Sequence, residues 1–320
     1  MPRFCRTRPR WQKLSGRLPV AEEFRLDKRE LRRAFERAAA EYDAHAALQR
    51  EICDRLTQRL DYLKLAPVRI LDAGCGTGYA SRSLLRHFPK AELLTMDLAP
   101  AMLRLARGQT SWWERPWQSL RKPASSYVCG DLERLPLKAS TVDFVWSSLA
   151  FQWVGDLAAT LRELYRIQKP GGAILFSTFG PDTLKELRAV FTLVDERPHV
   201  SRFTDMHDIG DMLVHAGYQN PVMEMEHITL TYDNLKALMQ DIKRIGAHNA
   251  SADRPRGMLG RGAWQRLEQG YERYRREGRL PATYEVVYGH AWVGDKTQRT
   301  DGQQIVHLDI QRRRSARGLR

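Results

Sequence analysis

The run Val68-Arg69-Ile70-Leu71-Asp72-Ala73-Gly74-Cys75-Gly76-Thr77-Gly78 sets a carboxylate just before three alternating glycines, behind a short apolar stretch. It reads as a strand entering a glycine-rich turn that opens a helix. Glycine allows positive φ there and lets a ligand approach the backbone where a Cβ would collide. The carboxyl end of a strand is also where open α/β sheets bind ligands. A dinucleotide pyrophosphate calls for G-x-G-x-x-G/A at a helix N-terminus. Here the third glycine comes one position early and Asp72 faces the loop. Negative charge at that point repels a pyrophosphate and suits a cation such as an ammonium or sulfonium. Asp97 ends the next strand, nineteen residues after Gly78. An acidic residue at that topological position accepts hydrogen bonds from both ribose hydroxyls.

A third element, Cys129-Gly130-Asp131-Leu132-Glu133-Arg134-Leu135-Pro136, resembles the G-D-x-x-x-L-P segment of class I S-adenosylmethionine methyltransferases. That resemblance implies S-adenosyl-L-methionine as cofactor, with Asp131 meeting the adenine amino group and Leu132 packing on the ring. The cofactor set expected in the first loop is Asp72, Ala73, Gly74 and Gly76. Asp97, Leu98 and Met102 follow the second strand, and Ser147 ends the fourth. After Ser147 comes Ser148-Leu149-Ala150-Phe151-Gln152-Trp153, where the superfamily begins its acceptor site, so Gln152 and Trp153 are acceptor candidates. No N-P-P-Y stretch of amide or adenine amino methylation is present, and the His, Cys and Asp spacing suggests no metal site. Methyl transfer from a sulfonium is an in-line displacement that depends on positioning and desolvation. A carboxylate acceptor is already ionised at neutral pH and needs no general base, so no catalytic residue is assigned.

The elements that must hold these residues alternate regularly. Asp27–Leu63 reads as one helix or two, with Leu31, Phe35, Ala38, Tyr42 and His45 at helical spacing. Strands are predicted at Val68–Leu71, Glu92–Met96, Ser126–Cys129, Asp143–Ser147 and Ala173–Thr178, the last entered through a Lys169-Pro170-Gly171-Gly172 turn. Helices are predicted between them at Tyr79–His87, Pro100–Arg107 and Leu157–Ile167. That rhythm implies an α/β, Rossmann-like, mostly parallel seven-stranded sheet. Beyond residue 180, helices at Leu184–Val194, Met206–Ala216, Asn234–Ile245 and Ala263–Arg275 form an added lid or acceptor region. Met223–Leu230 reads as a strand, and Thr283–Trp292 as an alternating strand placed antiparallel at the sheet edge.

The net charge of +14 on 320 residues raises the question of a nucleic-acid partner. Residues 1–20 hold +6 and residues 296–320 hold +5, so the residues between carry only +3. The excess sits in the tails, which read as solvated ends, and a nucleic-acid partner is not expected. The expected organisation is a basic tail over 1–24, the helix and cofactor-binding core over 25–180, acceptor-side helices and closing strands over 181–294, and a second basic tail over 295–320. Gln109–Ser125, with Trp112, Trp113 and Trp117, reads as an insertion. The Arg-rich, acid-poor start is like a transit peptide, but interspersed prolines weaken that reading. The longest apolar stretches, such as Gly172–Thr178, are too short to span a bilayer, so no membrane partner is expected. Cys5, Cys53, Cys75 and Cys129 form no C-x-x-C pair, which points to a reducing, cytoplasmic setting.

Further segments resemble one family, the malonyl-ACP O-methyltransferases of biotin synthesis. They are Ala34-Phe35-Glu36-Arg37-Ala38-Ala39-Ala40-Glu41-Tyr42 with His45, Leu48, Gln49 and Arg50, and Leu161-Arg162-Glu163-Leu164-Tyr165-Arg166. Val194-Asp195-Glu196-Arg197-Pro198-His199, Arg202-Phe203, Lys243, Ile245-Gly246-Ala247 and Pro281-Ala282-Thr283-Tyr284 continue the likeness across residues 27–293. The resemblance implies methylation of the free malonyl carboxylate on acyl carrier protein, or on coenzyme A, with Tyr42 in a lid-like helix over the methyl donor. Arg202 is the candidate for gripping that carboxylate, since a guanidinium binds one in two-pronged fashion, and His199 is a second polar contact. Two alternatives stand beside this reading. One is a relative that assembles respiratory complex I by modifying a protein arginine; the other is an RNA methyltransferase that stacks bases on its tryptophans.

Overall fold

A computed structural model describes residues 26–108, 125–195, 197, 199–245 and 259–294. Both expected tails, and the tryptophan-rich segment apart from Ser125, lie outside the described residues. The amino-terminal stretch is two helices, α1 (Lys28–His45) and α2 (Ala47–Gln58), broken at Ala46 and followed by a 3-10 turn over Arg59–Tyr62. Asp27 starts α1 by accepting a hydrogen bond from the backbone N–H of Glu30, as an N-cap does. Strands and helices then alternate as β1 (Arg69–Ala73), α3 (Tyr79–His87), β2 (Glu92–Asp97), α4 (Pro100–Gly108), β3 (Ser126–Cys129), β4 (Val142–Ser148), α5 (Leu157–Ile167) and β5 (Gln168–Phe179). The remainder is α6 (Lys185–Phe191), α7 (Met206–Ala216), β6 (Tyr218–Tyr232), α8 (Leu235–Arg244), α9 (Arg261–Glu272) and β7 (Leu280–Val293).

The strands form one seven-stranded sheet in the order β3-β2-β1-β4-β5-β7-β6. The first five in this order are parallel, β7 runs antiparallel to β5, and β6 runs antiparallel to β7. Period-two alternation sorts the core into two layers. Ile70, Leu93, Phe144, Trp146 and Leu175 face one side with Ile52, Leu56 and Leu84. Leu71, Met96, Val145, Ile174 and Phe176 face the other with Leu161, Leu164 and Leu213. Both faces are covered, as a parallel sheet requires. None of the described helices is long and apolar enough to cross a membrane.

Two sequence expectations change. The closing strand, expected as an alternating edge strand, lies one place in from the edge. Almost every residue of β7 is buried, because β5 and β6 flank it and helices cover it. The outermost strand is β6, which extends past Met223–Leu230 at both ends and keeps the alternating half-exposed pattern of an edge. The expected turn at Lys169–Gly172 is instead part of β5, as a bulge where the pairing with β4 shifts register between Val142 and Phe144.

Close approach at the β5–β7–β6 junction requires glycine. Gly289 pairs with Phe176 on one side and Met223 on the other. A Cβ there would collide with the Phe176 ring and come within 2.9 Å of Met223 Sδ. Gly289→Val is expected to cost about 1–3 kcal/mol of stability through overpacking. A lower urea midpoint with an unchanged slope is the measurement that checks it.

Candidate functional site

The strand order reverses at β1, with β2 on one side and β4 on the other, which leaves a crevice at the carboxyl ends of the strands. The glycine-rich loop lines it. Gly74, Gly76 and Gly78 all take positive φ (81°, 54° and 84°), a region that side chains with a Cβ avoid. A Cβ on Gly74 would also strike Ala150, whereas the space above Gly76 is open for 4 Å. The backbone N–H groups of Gly74 and Cys75 both donate to Met96 O at 2.9 Å, tying the loop to the end of β2. Asp97 completes the tie: Oδ2 accepts from Gly76 N at 2.9 Å and Oδ1 from Ala99 N at 2.8 Å. Burial raises the Asp97 pKa, and these backbone donors partly offset it.

The crevice brings together Tyr42, Gly74, Gly76, Asp97, Leu98, Met102, Asp131 and Leu132 of the expected cofactor set. Asp72, Ala73 and Ser147 sit one layer deeper and do not line it. Asp72 is 1% exposed and accepts a hydrogen bond from Ser81 Oγ. Desolvation, with a smaller push from the Asp97 charge, raises its pKa to about 7. Ser147 is fully buried and donates to Ala73 O at 2.9 Å, so the residue lining the crevice after β4 is Ser148. Alternation along β1 and β4 turns these side chains inward while the loop behind them reaches the surface.

Helix α1 roofs the crevice. Lys28, Leu31, Phe35 and Tyr42 recur along one helical face and lean into it. Lys28 was not anticipated. Its Nζ lies 2.7 and 2.9 Å from the two Asp131 oxygens and 2.8 Å from Glu133 Oε1. Thr77 Oγ1 donates to Asp43 Oδ1 at 2.6 Å, binding the same helix to the glycine loop. The space left is about 100 Å³, well under the roughly 300–1,000 Å³ of small-molecule sites. Entry of a nucleoside therefore needs α1 to shift. With α1 displaced, the residues fit S-adenosyl-L-methionine. Gly76 offers open backbone, Asp97 an acceptor, Leu98, Met102 and Leu132 an apolar wall, and Asp131 a further acceptor.

A second cavity of about 930 Å³ opens beside the first. Phe179, Leu187, Phe191, Val200, Phe203 and Trp264 give it an apolar interior, and Arg37, Lys236, Lys243 and Arg266 contribute cations to its wall. Trp153 lines both cavities and packs edge-on against Phe35 of α1, ring centroids 5.5 Å apart. His199 lines the larger cavity, stacked on Phe191 at 4.0 Å, with Nε2 2.7 Å from Asp195 Oδ1. Gln152 lines neither cavity. Its Nε2 donates to Leu149 O at 2.7 Å and its Oε1 accepts from Thr178, which brace the Ala150–Trp153 turn. Arg202 is exposed and also lines neither cavity; Ser201 and Phe203 on either side supply the wall instead. The chain turns these neighbours inward and the Arg202 side chain outward.

The comparisons with known proteins agree with this geometry. Residues 71–176 match the family model described as a methyltransferase domain. The malonyl-[acyl-carrier protein] O-methyltransferase of Gallionella capsiferriformans is 52% identical over 284 residues, covering 89% of this chain and 97% of its own. Its namesake from Nitrosospira multiformis is 53% identical over 274 residues, covering 83% and 89%. The chain belongs to the malonyl-[acyl-carrier protein] O-methyltransferase family. In fold, the methyltransferase is similar to the Bacillus subtilis YcgJ protein, with TM-score 0.54, 14% identity, and coverage of 76% of this chain and 99% of that one. It is also similar to Haemonchus contortus phosphoethanolamine N-methyltransferase 2 in complex with S-adenosylhomocysteine, with TM-score 0.51, 16% identity, and coverage of 82% and 60%.

Among the described residues of the methyltransferase, Asp182, His227 and Glu285 are near enough to share a cation. Lys185 Nζ already lies 2.9 Å from Asp182 Oδ2, and Glu285 Oε2 accepts from Asp182 N.

The crevice yields two predictions. Hydrogen bonds to a charged acceptor contribute roughly 1.5–3 kcal/mol. Asp97→Ala is therefore expected to weaken S-adenosylmethionine binding by about 10- to 100-fold in calorimetry, with the fold retained by circular dichroism. The second concerns pH. Asp72 titrates near 7 when folded against a model value of 3.8, so the folded chain holds its proton more tightly. Its contribution to stability is full at about pH 4 and is lost as pH rises toward 7. Asp72→Asn stays neutral, and urea melts across that window should show a flatter decline than the unsubstituted protein.

Proposed function

We propose that this protein transfers a methyl group from S-adenosyl-L-methionine to the free carboxylate of a malonyl thioester on acyl carrier protein. The product is the malonyl methyl ester that primes the pimeloyl chain of biotin. The observation that carries this reading is the shared Trp153 wall between the glycine-loop crevice and the 930 Å³ apolar chamber with cations on its wall. A donor held on Asp97 and an acyl group entering the chamber meet at that wall. Relatives above 50% identity bear the corresponding name. Coenzyme A is the alternative carrier. Cytoplasmic residence rests on the scattered cysteines, of which Cys53, Cys75 and Cys129 are free.

The bound donor would supply a sulfonium methyl, which a carboxylate oxygen attacks in line as the carbon–sulfur bond breaks toward sulfur. The acceptor is already ionised, so the chain contributes position and dryness rather than a base. Asp97 holds the glycine loop and offers a ribose acceptor. Phe35 and Trp153 form an aromatic partition where the two reactants meet, and α1 keeps water from the donor side. The cations on the chamber wall attract an anionic acyl carrier and raise its encounter rate.

Labelled methyl transfer to malonyl-ACP, malonyl-CoA, acetyl-ACP and an RNA pool, run in parallel, tests this. Base-labile label on the malonyl thioesters, and none on acetyl-ACP or RNA, is the expected result. Label on acetyl-ACP would place the methyl elsewhere than the carboxylate. Label on RNA alone would overturn the reading.

A further inference from the structure

Gln49 stands in the first turn of α2, beside the buried Leu48, and its side chain lines the larger cavity. Its Oε1 is buried and finds no hydrogen-bond donor among the described residues. A buried carbonyl oxygen without a donor is costly, and native proteins retain few of them. Three polar side chains on this wall are engaged elsewhere. Thr183 Oγ1 donates to Glu285 O, His199 pairs with Asp195, and Tyr284 shares a hydrogen bond with Tyr232. Among the described residues, Gln49 Oε1 is the side-chain polar atom on this wall that is buried without a partner, so a ligand in this cavity meets an unfilled requirement there.

That requirement is for a donor, and a malonyl group has none. At neutral pH its carboxylate and its thioester carbonyl are both acceptors. The donor must then lie on the thioester side of the acceptor molecule. We propose that Gln49 Oε1 accepts a hydrogen bond from a secondary amide N–H in the arm that carries the malonyl thioester, and so positions the acyl group at Trp153. The proposal rests on the carboxyl-methylation reading above and names what its acceptor site recognises besides the malonyl group. The cavity volume agrees, since 930 Å³ far exceeds what a three-carbon acid fills and leaves room for an extended arm. Trp153 marks the reacting end because it also lines the donor crevice. Gln49 is a positioning residue: it touches the arm and not the reacting atoms.

The experiment compares two small acceptors with the full-length protein. Malonyl-N-acetylcysteamine carries one amide N–H, and the S-ethyl thioester of malonic acid carries none. The unsubstituted protein should show kcat/KM about 10-fold or more higher for the first, because a site built to accept a hydrogen bond discriminates against an analogue that lacks the donor. Gln49→Met and Gln49→Leu, which keep the bulk and remove the acceptor, should bring that ratio close to one, with S-adenosylmethionine affinity unchanged. The ratio is taken within each variant, so general damage lowers both rates together and leaves it untouched. A ratio unchanged by both substitutions would overturn the role of Gln49 while leaving the reaction intact. If the unsubstituted protein methylates malonyl-ACP and both small thioesters equally well, the amide is not read and the proposal fails. Absence of transfer to any malonyl thioester would overturn the carboxyl-methylation reading itself, and the Gln49 contact with it.

Discussion

Two adjacent backbone N–H groups, of Gly74 and Cys75, converge on the single carbonyl of Met96, and the crevice takes its form from that pairing. It bends the chain sharply as it leaves β1 and forces positive φ on Gly74 and Gly76. Asp97 is thereby brought beneath the loop, where its carboxylate accepts from Gly76 and caps the turn into α4 through Ala99. One side chain thus serves both the loop and the following helix. Bulk at Gly74 would press on Ala150, which begins the turn carrying Trp153. The glycine loop and the turn that carries Trp153 therefore meet at a contact that only a glycine permits.

The motif residues divide into those that touch the crevice and those that hold it up. Gly74, Gly76, Asp97, Asp131 and Leu132 line it. Asp72 and Ser147 act from below, through Ser81 and the Ala73 carbonyl, and hold the ends of β1, β4 and α3 together. This division explains why a carboxylate next to the glycines has its pKa raised to about 7. It is desolvated by the sheet and has hydroxyl and backbone neighbours in place of a cation.

Above this floor, α1 supplies what the sheet lacks. Lys28 neutralises Asp131 and Glu133 at one end of the helix, and Asp43 engages Thr77 nearer the other. These are partly exposed polar contacts, each contributing little alone. The larger chamber beside the crevice has an apolar interior with cations on its wall.

Much of this was legible from the chain. The glycine spacing, Asp97 one strand later, and the apolar alternation of β1 to β5 are local patterns. Each is readable within one strand–turn–helix unit, because steric rules and period-two burial act over a few residues. The parallel core and the glycine-loop crevice follow from such units. Less local features did not. The place of β7 inside the sheet depends on β6 pairing outside it, and β6 lies some fifty residues earlier in the chain. Lys28 meets Asp131 across 103 residues, and Trp153 packs on Phe35 of α1, more than a hundred residues earlier, where it lines both cavities. Arg202 had the right chemistry for a carboxylate, yet Val200 and Phe203 bury themselves in the chamber wall and leave it facing outward. The sequence by itself determined the parallel core of the sheet, the glycine loop and the acidic residues Asp97 and Asp131 that line the crevice. Tertiary packing decided which side chains reach the acceptor, because a cavity wall is assembled from segments whose mutual facing no local pattern encodes.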